Sequence, residues 1–215
     1  MLLYCDDVSS ITDEQFQNFI KTMPCDRREQ ALRYVRESDR FQSAVAYALL
    51  CYVLSLNGYE ISDYTLLKTP NGKPYLDGCP LKISISHTEG AVACAISSDE
   101  VGVDIQKKTD RYHSVAKRVC TENEIELLTQ SDTPVDDFAK LWTLKESYVK
   151  CIGTGISDNL KQYDFSSVAN GRETSAYGCG FLMIDGGRYI LSSCSSKPIT
   201  SVKKISISEM YENTL

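Results

Sequence analysis

Val101-Gly102-Val103-Asp104-Ile105-Gln106 alternates branched apolar side chains with a glycine, a carboxylate and an amide. A period of two sends Val101, Val103 and Ile105 to one face of a strand and Gly102, Asp104 and Gln106 to the other. Two short strand-like segments precede it, Lys82 to His87 and Ala91 to Ser97, set apart by the turns Thr88-Glu89-Gly90 and Ser98-Asp99-Glu100. The three together read as an antiparallel meander. Further upstream, Asp26-Arg27-Arg28-Glu29 has the form of a helix start, and a second start at Ser38 leads into the apolar run Ala44 to Leu56 before Gly58.

Downstream the same order returns. Thr121-Glu122-Asn123-Glu124 is a capping box. Thr133-Pro134, with Asp136 and Asp137 in the next turn, opens a helix that runs to about Cys151 and is ended by Gly153 and Gly155. Ala176 to Asp185, Arg188 to Ser195 and Val202 to Ile207 then read as strands, the first two joined by a Gly186-Gly187 hairpin. Helices followed by strands, twice over, predict an α+β chain built of two similar α/β halves, residues 1-106 and 107-215, although periodicity alone also suits one α+β domain.

The 215 residues suffice for either plan. With 23 Lys and Arg against 29 Asp and Glu, the net charge of -6 argues against a nucleic-acid binder, which needs a clustered cationic excess. The run Ala44 to Leu56 is too short to cross a bilayer and suits a buried helix. Met1 to Asp7 lacks a basic leader region, so a cytoplasmic protein is expected. The nine cysteines form no CxxC pair, which leaves reduced thiols filling core space as the expectation, against a zinc or disulfide framework.

Several residues are candidates for chemistry. Asp104 beside Gln106, at the end of a core strand, offers oxygen ligands to a hard cation, although an Asp there also serves turns. Trp142, Glu146 and Lys150 share one helix stripe, where Glu146 and Lys150 can form an ordinary i,i+4 pair. His87, at a strand end, is suited to meet a phosphate, and Asn71-Gly72-Lys73-Pro74 is a turn whose lysine can reach an anion. Arg27, Arg28, Arg33, Arg36 and Arg40 make a basic helix face in an acidic chain.

In order and spacing, Gly72-Lys73-Pro74, Ser86-His87-Thr88, Gly102-Val103-Asp104-Ile105 and Trp142-Thr143-Leu144-Lys145-Glu146-Ser147 with Lys150 resemble the 4′-phosphopantetheinyl transferase superfamily, surfactin-synthetase-activating type. The last two motifs are the specific part. The resemblance implies a pseudo-dimer of two α/β halves with the active site in the cleft between them. It implies transfer of the phosphopantetheine arm of coenzyme A to a serine of an apo acyl or peptidyl carrier protein, by a monomer that touches neither nucleic acid nor membrane.

By the same resemblance Asp104 and Glu146 hold Mg²⁺, with Gln106 as a third ligand directly or through water, and Lys150 contacts the phosphates and the reacting centre. Gly72, Lys73 and Pro74 line the adenine site, Ser86 and His87 face the nucleotide phosphates, and Arg27 and Ser43 grip the 3′-phosphate. Three positions depart from the pattern: Gln106 stands where many members carry a third acid, Gln42 where an arginine is usual, and Ser84 where an asparagine is usual. These departures motivate a rival, a silent relative that binds coenzyme A or a carrier without transfer. A metal-dependent phosphohydrolase of nucleotide diphosphates is a second. The locally basic segment 108 to 130, with Lys108, Arg111, Lys117 and Arg118 just after Lys107, is the expected carrier-docking surface.

Overall fold

The structure is a computed structural model that describes residues 1–155, 159–197 and 199–214. The chain enters through strand β1 (Leu2–Cys5) and helix α1 (Asp13–Thr22), where Thr12 and Gln15 form a reciprocal capping box and Phe16, Phe19 and Ile20 turn inward. The sequence reading had neither element. Helix α2 (Cys25–Leu32) starts at Pro24 without a side-chain cap, so Asp26 lies in the first turn and does not cap it. Helix α3 (Glu37–Ser55) likewise begins a residue before Ser38 and buries nearly its whole second half. A hairpin of β2 (Thr65–Lys68) and β3 (Pro74–Asp77) encloses the Asn71-Gly72 turn, and β4 (Lys82–Thr88), β5 (Ala91–Ser97) and β6 (Val101–Lys107) follow.

Then come α4 (His113–Val119), α5 (Glu122–Gln130), α6 (Pro134–Ile152) and the single turn α7 (Ser166–Ala169). The capping box at Thr121 and Glu124 and the proline at the start of α6 stand as expected, and Gly153, at φ 75°, ends α6 in the left-handed conformation glycine tolerates. The expected strand from Ala176 is split by Tyr177 and Gly178, both at positive φ, into β7 (Ser175–Ala176) and β8 (Cys179–Asp185). After β9 (Tyr189–Ser195), the strand expected to reach Ile207 stops early. It is β10 (Val202–Lys204), because Ser206 accepts the backbone N–H of Glu209 and Ile207 opens helix α8 (Ile207–Thr214).

The three central strands do not form one meander. One four-stranded sheet has the order β10-β1-β5-β4, and the other has the order β6-β9-β8-β7. β6 leaves β5 at the Ser98–Glu100 turn and pairs antiparallel with β9, Asp104 opposite Ser192. Its free edge meets β4 through side chains: Ser84 Oγ accepts Val103 N–H at 3.0 Å and Ser86 Oγ accepts Ile105 N–H at 3.4 Å. The apolar face of β6 packs with Leu2, Ala91, Ala93 and Ala95 on one side and Tyr189 and Leu191 on the other, in a cluster that welds the two sheets. Burying branched side chains between the sheets outweighs continuing a hairpin across the three-residue turn.

Each four-stranded sheet carries one 19-residue helix, α3 on the first and α6 on the second. The halves interleave in sequence, since β6 builds the second sheet while β10, parallel to β1, and α8 return to the first. The result is an α+β fold. Among the described residues no helix is long and apolar enough to cross a membrane.

Candidate active site

Gly102 sets the distance between β6 and α6. A Cβ at this position would lie 1.8 Å from the Ser147 carbonyl oxygen and 2.5 Å from the Cys151 nitrogen, so only glycine lets the helix settle on the strand. One pleat further on, Asp104 is 1% exposed and faces the same helix, where Glu146 is 4% exposed. Close approach of backbone to backbone thus places two carboxylates and an ammonium in one nearly dry recess.

Within it Lys150 turns to Asp104, not to Glu146. Its Nζ donates to Asp104 Oδ1 at 2.6 Å and to Ser86 Oγ at 2.9 Å, and Ser86 Oγ donates to the same Oδ1 at 2.7 Å. Gln106 Nε2 donates to Asp104 Oδ2 at 3.0 Å. Glu146 Oε1, by contrast, is buried without a hydrogen-bond partner among the described residues. Burial, then the negative charge of Asp104, pushes its carboxyl up to about 7 against the opposing pull of Lys150. The i,i+4 pair open to sequence reading is therefore not made, because the strand offers the lysine a better satisfied carboxylate.

The Gly72-Lys73-Pro74 turn shares a cleft of about 490 Å³ with Ser84, Lys150 and Gly153. Gly72, at φ 86°, permits the turn, and Asn71 Nδ2 clamps it to α6 by donating to the Gly153 carbonyl at 2.9 Å. Lys73 faces Glu100 at 2.6 Å and the Cys151 carbonyl at 3.0 Å. Sequence reading missed Glu100, a turn residue with no periodic signal and a partner 27 positions away. His87 Nδ1 lies 3.0 Å from Gln42 Oε1, and burial of its ring followed by the Lys150 charge holds its pKa below the usual imidazole value, so it is neutral at pH 7. Gln42, at the position where an arginine was expected, is 5% exposed and serves as the partner of His87.

Arg27 and Ser43 stand apart. Arg27 Nη1 donates to Gln30 at 3.4 Å while its Nε is buried without a partner among the described residues, and Ser43 is half-buried beside Gln42. Among the described residues neither is hydrogen-bonded to the Asp104 cluster. Lys145, inside the Trp142–Ser147 motif, points away from the cleft. Fully buried, it pairs with Glu124 at 2.9 Å and donates to the carbonyls of Leu160 and Tyr163. That lysine holds α6 to α5 and the following loop.

The family described as the 4′-phosphopantetheinyl transferase superfamily matches residues 100–194, the span holding β6, α6 and β9. The 4′-phosphopantetheinyl transferase gsp of Aneurinibacillus migulanus is 32% identical over 148 residues, 67% of this chain and 62% of that relative, so the match spans just under two thirds of its length. The 4′-phosphopantetheinyl transferase Sfp of Bacillus subtilis (strain 168) is 30% identical over 167 residues, 75% of this chain and 73% of the relative. The L-aminoadipate-semialdehyde dehydrogenase-phosphopantetheinyl transferase of Saccharomyces cerevisiae is 29% identical over 168 residues, 72% of this chain and 61% of the relative.

Proposed function

This chain belongs to the 4′-phosphopantetheinyl transferase superfamily, and from that membership we propose that it moves the 4′-phosphopantetheine of coenzyme A onto a serine of an apo acyl or peptidyl carrier protein. The observation that carries the reading is the pair Asp104 and Glu146, buried together, with Glu146 Oε1 lacking a hydrogen-bond partner among the described residues. A buried carboxylate oxygen without a donor is costly unless a cation completes it. The donor set is oxygen-rich and therefore fits Mg²⁺, which Asp104 and Glu146 would hold, with Gln106 contributing directly or through water. When bound, the ion supplies charge neutralisation to the coenzyme A diphosphate.

The reaction attaches the carrier serine oxygen to the pantetheine-side phosphorus and breaks that phosphorus's bond to the bridging oxygen, releasing adenosine 3′,5′-bisphosphate. The leaving group is already a stable anion, so in-line positioning matters more than a general acid. Lys150, released from Asp104 by its share of the phosphates, orients the diphosphate in the cleft. Glu146 takes the serine proton as general base. Ser86 fixes Asp104 and Lys150 by hydrogen bonds to both, and His87 faces the phosphates as a hydrogen-bond partner.

Gly72, Lys73 and Pro74 line the adenine end of the cleft, and Arg27 with Ser43 receives the 3′-phosphate. In this reading the first half binds the nucleotide and the second docks the carrier, in a cytoplasmic monomer. Intact-protein mass spectrometry of an apo carrier with this protein, coenzyme A and Mg²⁺ tests the proposal. A metal-dependent gain of one phosphopantetheine is expected. No gain across fatty-acid, polyketide and peptide carriers while coenzyme A stays bound would overturn it in favour of the silent binder, and coenzyme A breakdown without carrier would overturn it in favour of the hydrolase.

A further inference from the structure

Spacing along the chain gives no zinc motif, yet the fold collects three cysteines that are far apart in sequence. Cys151 is the penultimate residue of α6, Cys179 opens β8 and Cys194 lies on β9, and their Sγ atoms all fall within 4.8 Å of one another. Gly102 makes the room. It pairs with Cys194 across the β6–β9 ladder and lies against the backbone of Cys151, so the absence of a side chain there lets the end of α6 approach β9. Cys151 is 3% and Cys194 0% exposed, whereas Cys179 is half-buried and leaves one side of the trio open.

We propose that Cys151, Cys179 and Cys194 form a binding site for one thiophilic d¹⁰ cation of the Zn²⁺ class, separate from the oxygen-lined Asp104 recess. Three thiolates at about 2.3 Å from a tetrahedral ion stand about 3.8 Å apart, so the trio has to close by only about 1 Å. Two thiols could make a disulfide, but three mutually close sulfurs give a facial ligand set, and soft ligands select this ion over Mg²⁺. The half-buried side at Cys179 leaves the fourth position to water. Three protons leave as the three Sγ–metal bonds form, and the complex carries one negative charge.

Lys73 Nζ, paired with Glu100 at 2.6 Å, also donates to the Cys151 carbonyl at 3.0 Å and so steadies the end of α6 beside the trio. A filled site ties the C-terminal end of α6, which carries Glu146 and Lys150, to β8 and β9.

The reduced, metal-free full chain is titrated with Cd²⁺ in excess Mg²⁺, reading the thiolate-to-metal charge-transfer absorbance, and then challenged with Zn²⁺. One equivalent of Cd²⁺ is expected, displaced by Zn²⁺ only in large excess because thiolates favour the softer ion. Affinity is expected to fall at least about tenfold in Cys179→Ser and in Cys194→Ser, and to be unchanged in Cys25→Ser, whose thiol is exposed elsewhere. Cys179→Ser, at a half-buried position, carries the test should Cys194→Ser fail to fold. No charge-transfer band at one equivalent, or wild-type affinity in Cys179→Ser, overturns the proposal.

Discussion

A glutamic acid in water loses its proton near 4.5, and Glu146 holds its own until about 7 because its carboxyl lies in a dry recess beside the charge of Asp104. The difference corresponds to about 3 kcal/mol of folded-state preference for the protonated acid. Between those two values the folded chain binds a proton that the unfolded chain has released, so this contribution to stability falls as pH rises from about 4.5 to about 7 and stays lost above it. Glu146→Gln, measured by urea unfolding without metal, is therefore expected to match the parent at pH 4 to 5 and to exceed it by up to about 3 kcal/mol at pH 8. The same variant, and Asp104→Asn, are expected to lose carrier modification by at least about a hundredfold. A variant that gains stability while losing transfer separates a functional carboxylate from a structural one; near-normal turnover in either would remove these residues from the mechanism.

At the scale of elements, the contact between β6 and α6 rests on a hydrogen atom at position 102. Gly102→Ala puts a methyl carbon 1.8 Å from the Ser147 carbonyl oxygen, so the helix must lift. Overpacking of this kind costs about 1 to 3 kcal/mol, and a lower urea midpoint together with weakened transfer is the expected result. Full activity with unchanged stability would show that the helix does not depend on that approach. The far side of α6 is anchored by Lys145 and Glu124, both with fully buried side chains, and Glu124 also accepts the N–H groups of Thr121 and Phe165. Lys145→Met strands that carboxylate and is expected to cost about 3 to 5 kcal/mol, with only part of the loss recovered when Glu124→Gln is added, because the amide keeps one of the two oxygen acceptors, as unfolding curves of the two variants would report. The capping box at Thr121 was legible in the sequence, but the second use of Glu124 as counter-ion to a motif lysine was not, because nothing in a three-residue spacing reveals a partner 21 positions on.

Over the whole molecule, the basic segment after β6 is less uniform than its sequence suggests. Lys107 pairs with Glu89 at 2.9 Å, and Lys108 with Asp136 at 2.8 Å and Asp185 at 3.0 Å, so two of its charges are already answered. Lys117 and Arg118, in the last turn of α4, are exposed. If a carrier with an acidic helix docks there, Lys117→Glu with Arg118→Glu is expected to raise the KM for the carrier about tenfold and leave the KM for coenzyme A unchanged. An equal rise in both would place docking elsewhere.

The sequence by itself determined what local physics can specify. It set the alternation that makes 101–106 a strand with Asp104 on its polar face, the proline and glycine that bound α6, and the one-face spacing of Glu146 and Lys150. The motif order that marks the family is also a property of the linear chain. Only the tertiary structure decided that β6 pairs with β9 and not β5, that Lys150 answers Asp104, that Glu146 Oε1 has no hydrogen-bond partner among the described residues, and that three distant cysteines meet. Strand partners and ion pairs are chosen by the apolar surface buried and the charges satisfied among residues that meet only when the sheets close. The competing local choices, a hairpin continuation or an i,i+4 pair, are worth less than that closure provides.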